Sequence, residues 1–152
     1  MLHAEITDKI ISAFYKVYNT LGYGFLEKVY ENAINIEIKN MGLCTSQQRS
    51  IKVYYENQEV GNYFADIVVN DQIIIEIKAA ESLRDEHKAQ LINYLKATDK
   101  EVGMLLNFGK KAEFKRTIFT NDRKIWNIDK KICENPSNPC HPCSIEVRGV
   151  DE

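Results

Sequence analysis

Glu76 and Lys78 interrupt a run of isoleucines, Ile73-Ile74-Ile75-Glu76-Ile77-Lys78, and no other stretch restricts the fold so tightly. Isoleucines at 73, 74, 75 and 77 put apolar side chains on both faces of an extended strand, the pattern of a strand covered on both sides. Residues two apart share a face, so Glu76 and Lys78 point the same way. An isolated carboxylate is costly to bury, so this one needs a partner or a cation. The alternative, a solvent-facing Glu-Lys pair on a one-sided sheet, fits poorly with the apolar residues around it.

Asn70-Asp71-Gln72 carries the turn residues between this run and Asp66-Ile67-Val68-Val69. A three-residue loop sets Val69 opposite Ile73, Val68 opposite Ile74 and Asp66 opposite Glu76. A two-residue Asn-Asp turn would send the two carboxylates to opposite faces. The sequence predicts the odd loop, with the carboxylates about 5 Å apart at Cβ. At that distance they repel by roughly 3 kcal/mol at an effective dielectric of about 20. Lys78 offsets part of this and a divalent cation all of it.

The remaining chain supplies layers for such a strand. Its 152 residues suffice for one domain with a full core, and a net charge of −2 argues against a generic polyanion binder. The N-terminus has neither a basic nor an apolar leader region, and no run is long enough to span a membrane. A cytoplasmic protein with reduced cysteines is therefore expected. Ile6, Ile10, Phe14, Val17 and Leu21 predict a helix over 4–21, broken by Gly22-Tyr23-Gly24. A second helix is predicted over about 26–41, with Val29, Tyr30, Ala33 and Ile36 on one side and Gly42 ending it. Glu27 falls in its first turn, where an acid favours the helix dipole.

Strands follow over 43–55, 60–69 and 73–80, then a helix over about 83–98 with Ser82 and Asp85 as its capping pair. Val102–Asn107 is a short apolar strand after a helix, and so pairs parallel in the interior. Residues 114–119 and 124–128 are further strand candidates. The order ααβββαββ predicts an α/β fold, a mixed sheet flanked by helices. The domain is placed at 1–131. Residues 132–152, rich in proline and asparagine and without periodicity, read as a disordered tail.

On the helix after Lys78, His87, Gln90 and Tyr94 stand at i, i+3 and i+7, beside Leu91 and Leu95. Gln90 and Tyr94 have the donors and acceptors to hold a phosphate or a water, and a tyrosine also stacks on bases. Position alone leaves core packing equally open for this pair, and His87 reads as a surface or capping histidine.

Together these elements resemble a known superfamily. Asp66, nine intervening residues and Glu76-Ile77-Lys78 resemble the PD-(D/E)XK nucleases, the restriction-endonuclease-like fold. Gln90-Leu91-Ile92-Asn93-Tyr94 resembles the Gln-x-x-x-Tyr element of its RecB-like branch. Gly24-Phe25-Leu26-Glu27-Lys28-Val29-Tyr30 looks like the motif of the GxxExxY protein family. The resemblance spans about residues 4–120, with Ala65-Asp66 where the superfamily often has Pro-Asp. It implies that Asp66, Glu76 and the backbone carbonyl of Ile77 hold Mg2+ or Mn2+, hard cations suited to oxygen ligands. It implies that Glu27 completes the set directly or through water, and that Lys78 orients or deprotonates the attacking water. Gln90 and Tyr94 would position the water or the phosphate. The implied activity is a metal-dependent nuclease, on DNA in preference to RNA, by metal-activated water. The rival is a catalytically silent module that keeps the fold to bind nucleic acid or protein, and a homodimer is compatible with either.

Lys110, Lys111, Lys115, Arg116, Arg123, Lys124, Lys130 and Lys131 concentrate positive charge after the core, as binding of a phosphate backbone would use and as a solvated edge region would equally show. No base-reading motif accompanies them. Cys44, Cys133, Cys140 and Cys143 are spaced poorly for an iron–sulfur cluster or a zinc site, so neither is expected.

Overall fold

The computed structural model describes residues 2–124. The segment 132–152, most of the strand expected at 124–128, Lys130, Lys131 and Cys133, Cys140 and Cys143 lie outside the described residues. Helices α1 (Ala4–Leu21) and α2 (Glu27–Asn40) precede strands β1 (Thr45–Tyr55), β2 (Gln58–Val69) and β3 (Ile73–Lys78). Helix α3 (Asp85–Lys96), β4 (Val102–Phe108) and β5 (Ala112–Ile118) follow. The five strands lie in the order β1-β2-β3-β4-β5, antiparallel except for the parallel β3–β4 pair. This is the predicted α/β mixed sheet flanked by helices. No helix among the described residues is long and apolar enough to cross a membrane.

Strand parity sorts the core into two layers. Ile67, Val69, Ile73, Ile75 and Ile77 pack with Ile10, Phe14, Tyr30, Ile34 and Ile38 of α1 and α2. Val68, Ile74 and Leu105 pack on the opposite face with Leu91, Tyr94 and Leu95 of α3. β3 is therefore covered on both sides, as its isoleucines require. Two expectations are corrected. The buried stripe of α2 is Tyr30, Glu31, Ile34 and Ile38, whereas Val29 and Ile36 are exposed, because the helix meets the sheet about one position round from the expected face. α3 begins at Asp85, not near Leu83, and the expected Ser82–Asp85 capping pair does not form. Instead the Nδ1 of His87 accepts from the Arg84 N–H at 3.1 Å, so the histidine takes the capping role.

The hairpin register is the predicted one: Val69 pairs Ile73, Val68 pairs Ile74 and Ile67 pairs Ile75. Asn70 and Asp71 take left-handed φ values of 52° and 57°, which these residue types tolerate best after glycine, and Gln72 N–H closes the turn on Val69 O at 2.9 Å. Buried Asp71 is held by Arg49 Nη2 at 2.5 Å and Lys100 Nζ at 3.1 Å, which fixes the turn against its neighbours.

Candidate active site

β2 and β3 part company just where the two carboxylates stand. The ladder ends at Ile67–Ile75, and beyond it each carboxylate caps the other strand's backbone. Glu76 Oε2 accepts from Asp66 N–H at 3.2 Å, and Asp66 Oδ2 accepts from Ile77 N–H at 2.8 Å. In an extended strand the N–H and C=O of one residue point to the same edge, so the Ile77 carbonyl also faces Asp66. The pair thus replaces the missing ladder bonds.

β1 and β2 are irregular at the same level. Ala65 packs on the α3 side while Ile67 packs on the α1–α2 side, so alternation breaks at Asp66. Across from it, Gln48 adopts a left-handed φ of 54° in mid-strand, a backbone form that disfavours residues with a Cβ. Irregularities of this kind re-aim a side chain. Here the Gln48 amide donates to Glu31 Oε1 at 3.0 Å and to Asp66 Oδ1 at 3.4 Å. Glu31 is buried and also accepts from Gln47 Nε2 at 2.8 Å and Lys28 Nζ at 3.2 Å. Gln48 and Glu31 were absent from the sequence reading. Only the i, i+4 spacing of Glu27 and Glu31, which puts both on one side of α2, could have drawn attention to the second.

On the α3 side, Lys78 Nζ donates to Gln90 Oε1 at 3.3 Å, and Gln90 Nε2 donates to Tyr94 OH at 2.9 Å. The chain Lys78–Gln90–Tyr94 lies beside the carboxylates, with Tyr63 packed 5.8 Å from the Tyr94 ring. Among the described residues Lys78 makes no ion pair with Asp66 or Glu76, so its ammonium is held by an amide rather than by the acids. Glu27 is exposed at the other end, where its Oε2 accepts from Ala79 N–H at 3.1 Å.

Electrostatically the site is short of positive charge. Burial, reinforced by Asp66, pushes the Glu76 carboxyl up to about 8, and Lys78 offsets little of this. Burial also raises Asp66, against the Ile77 N–H, which lowers it. Burial raises Tyr94 as well, with Glu76 adding to the effect. No three His, Cys, Asp or Glu side chains among the described residues converge on a metal-sized point. The donors present are two carboxylates and a carbonyl, all oxygen and two of them in mutual repulsion. That set suits a hard divalent cation that completes its shell with water and phosphate.

The basic segment divides. Lys110, Lys111 and Lys115 are exposed. Lys124 is buried, donating to Thr98 O at 2.9 Å and Lys100 O at 2.6 Å, and burial pushes its ammonium down to about 8. Arg116 Nη2 donates to Leu2 O at 2.5 Å, and the Arg123 guanidinium lies 4.3 Å from the Phe119 ring centre. Lys124 and Arg116 are thus tied to backbone carbonyls and exposed Arg123 lies against a ring, so the basic residues of the described segment do not all face solvent alike. Cys44 is half-buried at the start of the sheet.

Comparison with known proteins agrees with this layout. Residues 4–117 match the family model of the PD-(D/E)XK nuclease superfamily. The fold resembles the crystal structure of SSO0001, with a TM-score of 0.50 and 18% sequence identity over 72% of this chain. The chain spans 60% of the length of that protein. No curated protein matches it.

Proposed function

The chain belongs to the PD-(D/E)XK nuclease superfamily, and from that premise we propose that it is a Mg2+- or Mn2+-dependent nuclease acting on DNA. The observation that carries this reading is the reciprocal clasp of Asp66 and Glu76 beside the Lys78–Gln90–Tyr94 chain. Within the superfamily we assign the chain to the GxxExxY group and the RecB-like branch. Tyr30 supports the first, since its buried hydroxyl ties Gly22 O at 2.7 Å to Phe25 N–H at 3.1 Å and so fixes the loop before Glu27.

Asp66, Glu76 and the Ile77 carbonyl would hold the cation, with Glu27 reaching it through water. When bound, the cation supplies Lewis acidity toward water and phosphate and cancels the repulsion between the carboxylates. Lys78 donates to the attacking water or a phosphate oxygen and offsets the negative charge that builds there. Gln90 Oε1 accepts a hydrogen bond from the Lys78 ammonium and the amide is itself oriented by Tyr94, so the ammonium is aimed before substrate arrives. Water adds to phosphorus and releases one proton to solvent, the ester P–O bond breaks, and the leaving oxygen takes up a proton from solvent.

The test is cleavage of single- and double-stranded DNA and RNA with Mg2+ or Mn2+, compared with Lys78→Ala. Wild-type activity that the substitution removes supports the reading. Equal inertness of both proteins on every substrate refutes it.

A further inference from the structure

We propose that the groove at the carboxyl ends of β3 and β4 binds an unpaired nucleotide beside the scissile phosphate, its base stacked on Tyr23 and Phe25. This rests on the nuclease reading for the position of that phosphate. The groove, open to solvent, offers about 540 Å³ between the Tyr23–Glu27 loop, the Ala79–Glu81 link and the Phe108–Lys110 turn. That volume lies within the range of small-ligand sites, roughly 300–1,000 Å³. Its location is also apt, because β3 and β4 are the parallel pair, and ligands of α/β sheets bind outside the carboxyl ends of parallel strands.

Three side chains, buried Tyr30 and Asn107 and half-buried Tyr18, hold its walls through the backbone. Tyr30 bonds Gly22 O and Phe25 N–H while its ring stacks on Phe108 at 4.2 Å. Asn107, fully buried, clamps Ala80 from both sides: Oδ1 accepts from its N–H and Nδ2 donates to its carbonyl, each at 2.9 Å. Tyr18 OH is shared by the carbonyls of Gly109 at 2.9 Å and Lys110 at 2.7 Å. A Cβ at Gly109 would meet Ala80 O at 2.1 Å, so this wall also requires glycine. The groove is built before any ligand arrives, which lowers the ordering cost of binding.

What these walls present is apolar and exposed: Tyr23 at 58%, Phe25 at 47% and Leu26 at 81%. Contiguous exposed apolar side chains mark a binding surface rather than chance. Two features identify the occupant. Glu27 lines the groove and bonds the N–H of Ala79, the residue after Lys78, so the groove begins at the end of the strand that carries Glu76 and Lys78. Lys110, an exposed lining residue, offers a cation to a flanking phosphate, while the exposed Glu81 carboxylate repels phosphates from its own side. Aromatic rings beside a cation stack on bases whatever their sequence, but a base inside a duplex has no free face to offer. The groove therefore selects single-stranded or frayed nucleic acid.

Binding is read on the Lys78→Ala protein with Mg2+, using fluorescence anisotropy of a labelled oligothymidylate and of a blunt duplex of equal length. The expected result is a single-strand affinity at least about tenfold above that of the duplex. Tyr23→Leu, which keeps an apolar side chain but removes the ring, should weaken single-strand binding about 5- to 100-fold and leave duplex binding within about twofold. Phe25 packs 6.0 Å from Tyr30, so Phe25→Leu is paired with a thermal melt to show that the loop is intact. Equal affinity for the two DNA forms, or ring deletions that leave single-strand binding unchanged, overturns the proposal. Cleavage by a wild type whose ring-deleted forms bind normally removes the stacking groove and keeps the nuclease. Ring-dependent binding by a wild type that cuts nothing does the reverse.

Discussion

Replacing Glu76 with glutamine should make the metal-free protein more stable at alkaline pH, although it removes a proposed metal ligand. A carboxyl whose folded pKa lies above its unfolded value holds its proton more tightly in the folded state. Folding is then favoured at low pH and penalised as pH rises between the two values. For Glu76 that window runs from 4.5 to about 8. Each unit is about 1.4 kcal/mol, so the penalty is absent below the window, about 3 kcal/mol at pH 7 and about 5 kcal/mol above it. At pH 7 this corresponds to roughly 10 °C in Tm for a domain of this size. Glutamine carries no charge, keeps an oxygen for the Asp66 N–H and gains an amide that donates to the Asp66 carboxylate.

The assay is thermal unfolding of both proteins with chelator and with Mg2+, from about pH 4 to 9. The variant should exceed wild type at pH 8 in chelator, with the difference closing toward pH 4.5. Mg2+ should stabilise wild type more at pH 8 than at pH 6, since binding must displace a proton, and should not stabilise the variant. A variant less stable than wild type at pH 8 in chelator, or a difference independent of pH, would refute the argument that the site stores repulsion.

Three further outcomes follow from particular contacts. Lys78→Ala should lower cleavage by about 10²- to 10⁴-fold while leaving the Mg2+-induced rise in Tm in place, because Lys78 bonds Gln90 rather than the carboxylates. At position 48, glycine should be more stable than alanine by about 1 kcal/mol in urea unfolding, since φ is 54° there. Both should cut more slowly than wild type, having lost the amide on Asp66, and the opposite order of stability would show that the strand is not kinked. Gly109→Ala should destabilise by about 1–3 kcal/mol, because its Cβ would lie 2.1 Å from a backbone carbonyl that Asn107 holds in place.

The central strand was legible in the sequence because a strand has only two faces. Four isoleucines and an odd-length loop were enough to place Asp66 and Glu76 together, and the ladder from Val69–Ile73 to Ile67–Ile75 has that register. The helix α1 was legible from spacing with both its ends, and α3 apart from its ends. What escaped the sequence depends on where elements meet in space. Glu31 reads as an ordinary solvated acid on a helix, and its burial follows from the angle at which α2 meets the sheet, which periodicity does not specify. Gln48 has no signature for a left-handed φ, and its amide meets Glu31 and Asp66 only once α2 and β2 are in place. Lys124 looked like part of a phosphate-binding run until two carbonyls, those of Thr98 and Lys100, proved to be its partners. The same distinction applies at the proposed nucleotide groove. Its aromatic residues stand together in the sequence at 23 and 25, but Tyr18, Tyr30 and Asn107, which make it rigid, come from two helices and a strand. A charged residue inside a strand announces chemistry because parity fixes its neighbours, whereas the polar atoms that position such a residue are set by packing between elements. They are found only once the layers are assembled.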